Sequence, residues 1–338
     1  MIKLGKVKEK SVGLDIGTYS IKAVSIEKDP EKNTLTAYNI KKIPPGAKDT
    51  NLEQLIKETL DEVDLYPERV NLSISGPDVI VRFITLPKMS KEQLKNALKF
   101  EAEKHIPFNI NEVVLDFLIL GDAPEAGQMR VLLAAAKLKP IEALVGTIER
   151  LGITVNIIDS DPFAMFNAFI ESKPSLEDKG NAFLDLGHSQ TDVLITIGKL
   201  PCFMRQIQIG GKDVTEAIRD SLSVSPEKAE EHKLGIGKAD KEVIAQATAQ
   251  VLDDLIKEMQ LSFGYFENRY NEGVSAIYCS GGMSYQKGVV DYLSEKLGTQ
   301  VQKWNPADGI NISENLSKQD IDSVASQLAV SIGLALRS

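Results

Sequence analysis

Cysteine is nearly absent. Cys202 and Cys279 are the only two in 338 residues; they share no metal-ligand spacing and supply no disulfide framework, which excludes a stapled secreted fold. Both are expected to be small buried hydrophobes in a reducing cytosol. The three histidines, His105, His188 and His232, likewise have no zinc-ligand spacing. Excess positive charge is missing too: 48 acidic against 39 basic residues leave −9, which argues against non-specific nucleic-acid binding. No apolar run reaches the roughly 18–20 residues of a membrane span. The longest, 328-LAVSIGLAL-336, predicts a buried helix. Residues 1–10 hold four lysines with no apolar core behind them, so no secretory signal is read. That arm fits a solvated tail better than a membrane contact. A soluble cytoplasmic protein is expected. No G-x-x-x-x-G-K-[ST] occurs, and 235-GIGKAD-240 lacks the third glycine of a dinucleotide fingerprint.

What is present is a repeated design. The stretch 12-VGLDIGTYSIKAVSI-26 reads as two apolar strands around Gly17-Thr18-Tyr19-Ser20, with one carboxylate, Asp15, at the end of the first. The stretch 181-NAFLDLGHSQTDVLITI-197 repeats it, Asp185 matching Asp15 and Gly187 matching Gly17. One Asp-x-Gly is common turn chemistry. Two, half a chain apart in matching strand contexts, point to duplicated domains that each supply one acid-tipped loop. Around them strands and helices alternate, as in α/β proteins. Ser90 and Gln93 form a capping box before 94-LKNALKFEAEKHI-106; Lys139-Pro140 opens a helix that ends before Gly152; Ser225-Pro226 opens another, closed by Gly235. Val243, Ala247, Val251, Leu255 and Met259 mark one face of a helix over roughly 240–269. Between strand 70–75 and Asp161 the pattern strand, helix, strand, strand, helix predicts a small inserted α+β unit, with 121-GDAPEAGQ-128 as its hairpin tip.

Two facing glycine turns suit a nucleotide clamped between domains. Glycine lets backbone N–H groups approach phosphates closely. The two aspartates then hold Mg²⁺, through its water shell because Mg²⁺ dehydrates reluctantly.

These residues resemble the actin/Hsp70/sugar-kinase superfamily. Asp15-x-Gly17-Thr18 with Lys22 resembles its first phosphate loop, and Asp185-x-Gly187 with Thr191-Asp192 its second. The stretch 276-AIYCSGGMS-284 resembles the adenosine motif, and Ala229-Glu230 with Lys233 an A-E-x-x-K that lines adenine and ribose. Within that superfamily, 100-FEAEKHIPFNINEVVLDFLIL-120 and 131-VLLAAAKLKPIEALVGTIERLGITVNIIDSDPFAMFNAF-169 are similar to signatures of the PilM family, cytoplasmic actin-like proteins of type IV pilus machines. FtsA relatives add an amphipathic membrane-targeting helix and GspL relatives a membrane span; neither is expected here.

The resemblance implies an α/β, actin-like ATPase fold of two duplicated ribonuclease H-like domains with a small α+β subdomain inserted in the first half. The boundaries expected are 1–78 with 156–172 for the first domain and 79–155 for the insert. The second domain is expected at 173–338, with a helical part near 212–274. It implies ATP and Mg²⁺. Asp15, Asp161 and Asp185 would position metal and water; Gly17, Thr18, Tyr19, Lys22, Gly187 and Thr191 would meet phosphates. Gly210, Gly211, Glu230 and Lys233 would sit near ribose and base, and Gly281, Gly282 and Met283 under the adenosine. Many relatives carry Glu where Asp161 stands. The shorter acid sits back by one C–C bond, and misplacement near 1 Å costs about 10²-fold in rate, which argues against efficient hydrolysis. The implied partner is the cytoplasmic N-terminal peptide of a PilN-like inner-membrane protein, with a relay to the pilus motor ATPases and a location at the inner membrane through that partner. Other actin-like cytoskeletal or secretion proteins are the alternative. A sugar or acetate kinase would need a base near an acceptor hydroxyl; beyond the metal-site acids no residue offers itself, and the insert replaces the usual sugar-binding region.

Plainer roles compete. Asp161-Pro162 fits an N-cap with Pro at N1. Glu230 and Lys233 fit a solvated i,i+3 pair worth about 0.2–0.5 kcal/mol. Lys22 fits a solvent-facing edge position, His188 polar turn filler, and Trp304 packing. An edge of the insert's sheet fits strand addition by an extended peptide.

Overall fold

The structure, a computed structural model, describes residues 9–44, 46, 49–173, 176–236 and 238–337. Most of the lysine-bearing arm therefore lies outside the described residues. The chain begins with the expected hairpin, β1 (Glu9–Ile16) and β2 (Ser20–Lys28), followed by β3 (Thr34–Lys42), α1 (Asp49–Asp61) and β4 (Arg69–Ile74). The insert follows as β5 (Val79–Pro87), α2 (Lys91–Glu103), β6 (Val113–Asp122), β7 (Gln128–Lys137) and α3 (Leu138–Arg150). Then come β8 (Thr154–Ser160) and α4 (Asp161–Ser172), which lead into the second hairpin, β9 (Gly180–Leu186) and β10 (Thr191–Ile197). β11 (Leu200–Ile207), α5 (Gly211–Leu222), α6 (Pro226–Lys233), α7 (Lys241–Tyr270), β12 (Val274–Ser280), α8 (Val289–Leu297) and β13 (Val301–Lys303) complete the second half. β14 (Asn311–Ile312), α9 (Lys318–Val324) and α10 (Ala329–Leu336) close the chain.

Two sheets carry the duplication, ordered β14-β3-β2-β1-β4-β8 and β11-β10-β9-β12-β13. Strand alternation gives each sheet two apolar faces. On the first sheet Val12, Leu14, Ile21 and Ala23 pack against Leu55, Ile56 and Leu60 of α1, while Val24, Ile26 and Leu35 face α4 and α10. On the second, Leu184, Leu186, Val193 and Ile195 face α5, α7 and α8, while Phe183 and Leu194 meet α4 and α10 from the other side. α4 and α10 are thus shared by both sheets.

The insert's sheet, β5-β7-β6, has β5 and β6 as its edges and buries Val131, Leu133 and Ala135 against Leu94 and Ala102 of α2. The capping box forms: Gln93 N donates to Ser90 Oγ at 3.2 Å, and Ser90 N to Gln93 Oε1 at 2.8 Å.

Packing departs from the expected boundaries at two places. α3 does not cover the insert's sheet. It buries Ile148, with Leu144 alongside, in the core under the first sheet, because its apolar stripe matches that face and α2 already fills the insert. Residues 311–337 return to the first half: β14 pairs with β3, and α10 lies between α4 and β1. Trp304 packs edge-on against Phe169, centroids 5.1 Å apart, and both cysteines are buried, as expected. No helix among the described residues is long and apolar enough to cross a membrane.

Candidate functional site

The two hairpins line one cleft of about 1280 Å³, above the roughly 300–1,000 Å³ of common ligand sites. In the first hairpin Asp15 stands opposite Lys22 in the antiparallel register, and Lys22 Nζ donates to Asp15 Oδ2 at 2.7 Å. Side-chain exposures of 16% and 7% for Lys22 and Asp15 exclude a solvent-facing lysine. Burial alone would lower the Lys22 pKa; Asp15, and behind it Asp185 and Asp161, hold it above the ordinary value.

The second hairpin pairs its own acid with another acid. Asp185 faces Asp192 in register, the place that Lys22 takes in the first copy. Asp192 is buried, lines the cleft, and accepts from Gln190 Nε2 at 3.1 Å on each oxygen. Sequence reasoning placed it in a motif without giving it a role; aligning the two hairpins through the strand after the turn would have found it. Asp161 lines the same cleft from the first turn of α4. Ser160 occupies the N-cap position, so the cap reading of Asp161 is corrected by one residue.

Four carboxylates thus line the cleft, and Lys22 acts on three of them, Asp15, Asp185 and Asp161. Burial pushes Asp185 up to about 7, with Lys22 opposing and Asp161 and Asp15 adding to the rise. Asp161 rises to about 6, through burial first and Asp15 second. Asp192 lies well above the ordinary carboxylate range, through burial and then Asp161 and Asp185. A divalent cation would relieve this repulsion. Among the described residues no group of three or more His, Cys, Asp or Glu side chains is placed to hold a metal ion directly.

A titration follows from these shifts. A carboxyl whose folded value lies above its unfolded value near 3.9 holds its proton more tightly in the folded protein. That contribution is complete below about pH 4 and is lost as pH rises through 7. The ligand-free protein is expected to lose stability over that window, by up to about 1.4 kcal/mol per pH unit for each such proton. Urea midpoints from pH 4 to 8 check it: Asp185→Asn should flatten the slope, and equal slopes in both proteins would refute the assignment.

The loop geometry explains the glycines. Gly211 N donates to Gly187 O at 3.0 Å and Lys212 N to His188 O at 2.7 Å, stitching the start of α5 to the second loop. A Cβ on Gly210 would lie 2.5 Å from His188 O. Gly210 therefore braces the loop from behind and does not line the cleft. Thr191, fully buried, spends its hydroxyl on Ile209 O at 2.9 Å. Neither Thr191, expected near phosphate, nor Gly210, expected near ribose, lines the cleft; both residues shape the loop. Gly17, Thr18, Tyr19, Gly187 and Gly211 do line the cleft.

At the other end, Glu230 Oε2 accepts from Lys233 Nζ at 2.6 Å and from Thr215 Oγ1 at 2.6 Å. Lys233 also donates to Gly211 O at 3.0 Å. Their side chains are only 14% and 9% exposed, so the solvated-pair reading fails. Burial pushes Lys233 below its ordinary value; burial would raise Glu230, but Lys233 and Thr215 hold it low. Gly281 has φ +88°, and a Cβ there would lie 2.5 Å from Asp185 Oδ1, which makes it a glycine position twice over. Gly282 is open to the cleft and Met283 is buried beside it. His188 is more than turn filler, since its ring lies 4.8 Å from that of Tyr19 in the first hairpin.

The family described as Type IV pilus assembly protein PilM matches residues 13–338. A solved PilM-PilN type IV pilus biogenesis complex contains a chain 29% identical, with TM-score 0.87, covering 98% of each chain. The ethanolamine utilization protein EutJ of Carboxydothermus hydrogenoformans shares the fold at TM-score 0.57 and 15% identity, over 98% of this chain and 90% of that one. The cell division protein FtsA of Streptococcus pneumoniae serotype 2 (strain D39 / NCTC 7466) is 26% identical over 271 residues, 71% of this chain. The chain spans 58% of that relative's length. The expected actin-like ATPase fold is borne out by these likenesses. With a family match that runs through both acid-tipped hairpins and the insert between them, the chain belongs to the type IV pilus assembly protein PilM family.

Proposed function

We propose that this chain is an ATP-binding actin-like scaffold of the type IV pilus inner-membrane platform, docking the cytoplasmic N-terminal peptide of a PilN-like membrane protein. The observation that carries it is the likeness, over 98% of both chains, to a protein solved as a PilM-PilN complex. The cleft supports the nucleotide half. Glycine turns from both hairpins offer backbone N–H groups to phosphates, Asp15 and Asp185 would hold Mg²⁺ through its waters, and Lys22 would add a point charge. When bound, the ion would supply charge neutralisation on the phosphates and within the acid cluster. Glu230, Lys233 and Gly211 would shape the ribose side, and Gly281, Gly282 and Met283 the adenosine side. Asp161 would orient water, its short side chain keeping hydrolysis slow. The protein then works in the cytoplasm beside the inner membrane, held there by its partner, and relays nucleotide state to the motor ATPases. We place the functional division at the cleft, with 311–337 grouped with the first half.

Thermal unfolding with Mg·ATP, Mg·ADP and no nucleotide, followed by titration of a PilN-like N-terminal peptide, tests this. Ligand at a hundredfold over its dissociation constant stabilises by about 2.7 kcal/mol, so a clear Mg-dependent shift and saturable peptide binding are expected. Absence of the shift removes the nucleotide half, and absence of peptide binding in every nucleotide state removes the scaffold.

A further inference from the structure

Among the described residues, with 311–337 grouped with the first half, the two halves share no strand pairing; they meet in the core around α4 and α10, at the insert, where Arg269 donates to Phe83 O, and at the tips of the two hairpins. There Thr18 Oγ1 donates to Ser189 Oγ at 3.1 Å, between residues 171 apart in sequence. Beside that bond the Tyr19 and His188 rings lie 4.8 Å apart, tilted by 41°.

Each ring is braced by its own half. Ile43 N donates to Tyr19 O at 2.8 Å, and Lys42 Nζ sits 4.9 Å from the Tyr19 ring centre. On the other side Lys212 N donates to His188 O. Burial, and then the Lys233 ammonium, hold His188 below its ordinary pKa, so a neutral imidazole meets the phenol. These loops are the same glycine turns that face the phosphate end of the cleft. A nucleotide held between them leaves fastest when they part, and parting breaks both contacts.

We propose that Thr18–Ser189 and Tyr19–His188 form a latch between the two halves that sets the rate of nucleotide exchange. This rests on the nucleotide reading above. No residue in the latch is an acid of the metal cluster, so the latch can be removed while the charge pattern stays.

The test is stopped-flow release of N-methylanthraniloyl-ATP with Mg²⁺, chased by excess ATP. His188→Ala should speed release about tenfold, equivalent to about 1.4 kcal/mol, within the range of a single aromatic pair. His188→Phe keeps a ring and should release near the wild-type rate. Tyr19→Ala combined with His188→Ala should be no faster than Tyr19→Ala alone, because one contact is removed either way. Ser189→Ala, which touches neither ring, should give a smaller acceleration and covers the case in which a ring variant fails to fold. Analogue binding with unchanged release in His188→Ala and Ser189→Ala overturns the latch and leaves the nucleotide site standing. So does additivity of the two ring variants. Failure of wild type to bind the analogue overturns the nucleotide reading and the latch with it.

Discussion

Asp15→Ala is expected to destabilise the fold by about 3 kcal/mol and to abolish stabilisation by Mg·ATP. Its partner Lys22 is the reason for the first effect. The pair is short, at 2.7 Å, and little exposed. Removing one member of a buried pair leaves the other charge without its partner, at about 3–5 kcal/mol. The lower end is expected because Asp185 and Asp161 still act on Lys22. Asp15→Asn keeps an oxygen for the Lys22 ammonium and should cost less. The double variant Asp15→Ala/Lys22→Met removes both charges and should recover most of the loss, since a buried pair exchanged for apolar groups is often close to neutral. Urea unfolding of these proteins together with Lys22→Met gives the coupling. A cost below about 1 kcal/mol for Asp15→Ala, or no recovery in the double variant, would show that the pair is not a buried unit. The ligand effect is read separately: Asp15→Asn, still folded, should show a diminished Mg-dependent shift.

What was legible in the sequence is what depends on near neighbours. Both hairpins, the Ser90–Gln93 cap and the insert's three strands follow from period-two alternation, turn glycines and capping chemistry, all local. The periodicity predicts the long helix over roughly 240–269, and it runs Lys241–Tyr270 with Ala247, Leu255 and Met259 buried. Burial of 328–336 was legible from its unbroken apolar run, but its seat between two sheets was not. That seat is fixed by Gly13 and Ala164, far away in sequence. α3 was misplaced for the same reason, because an amphipathic stripe states that a face is buried and not against what.

At the site the limit is similar. Asp15, Asp161 and Asp185 stand out by residue type and context, and the structure brings them into one cleft. The family resemblance implies a phosphate contact for Thr191, yet its position in β10 points the hydroxyl at Ile209 O. Gly210 was assigned to ribose, yet its missing side chain makes room for the neighbouring loop. In both cases the resemblance implies a ligand contact, and the backbone packing, invisible in one dimension, supplies a structural use for the residue. Asp192 shows the reverse: the repeat held the information, since the acid occupies the place of Lys22 in the duplicate hairpin.

Gly333→Ala should cost about 3 kcal/mol or more, the upper part of the range for overpacked cores. Helix propensity predicts the opposite sign, because Ala in a helix interior is favoured over Gly by about 0.5–1 kcal/mol. Sterics decide. A Cβ at residue 333 would lie 1.7 Å from Ala164 O and 2.4 Å from Ala164 C. These are backbone atoms of α4, so no side chain can rotate away; one helix has to move. α10 has little room to do so, since a Cβ on Gly13 of β1 would already lie 2.1 Å from Ser331 O. The helix is therefore held between α4 and the first sheet at distances that only glycine permits. Gly264→Ala is the control. Gly264 lies in α7 with nothing within 4 Å of a built Cβ, so the propensity gain should appear there unopposed. Urea midpoints that rise for Gly264→Ala and fall steeply for Gly333→Ala would establish the contact; similar shifts in both would refute it. The displacement also reaches the cleft, because α4 carries Asp161 in its first turn. Whatever Gly333→Ala protein remains folded should therefore gain less from Mg·ATP than wild type, linking the packing of the last helix to the acid cluster that nucleotide is proposed to meet.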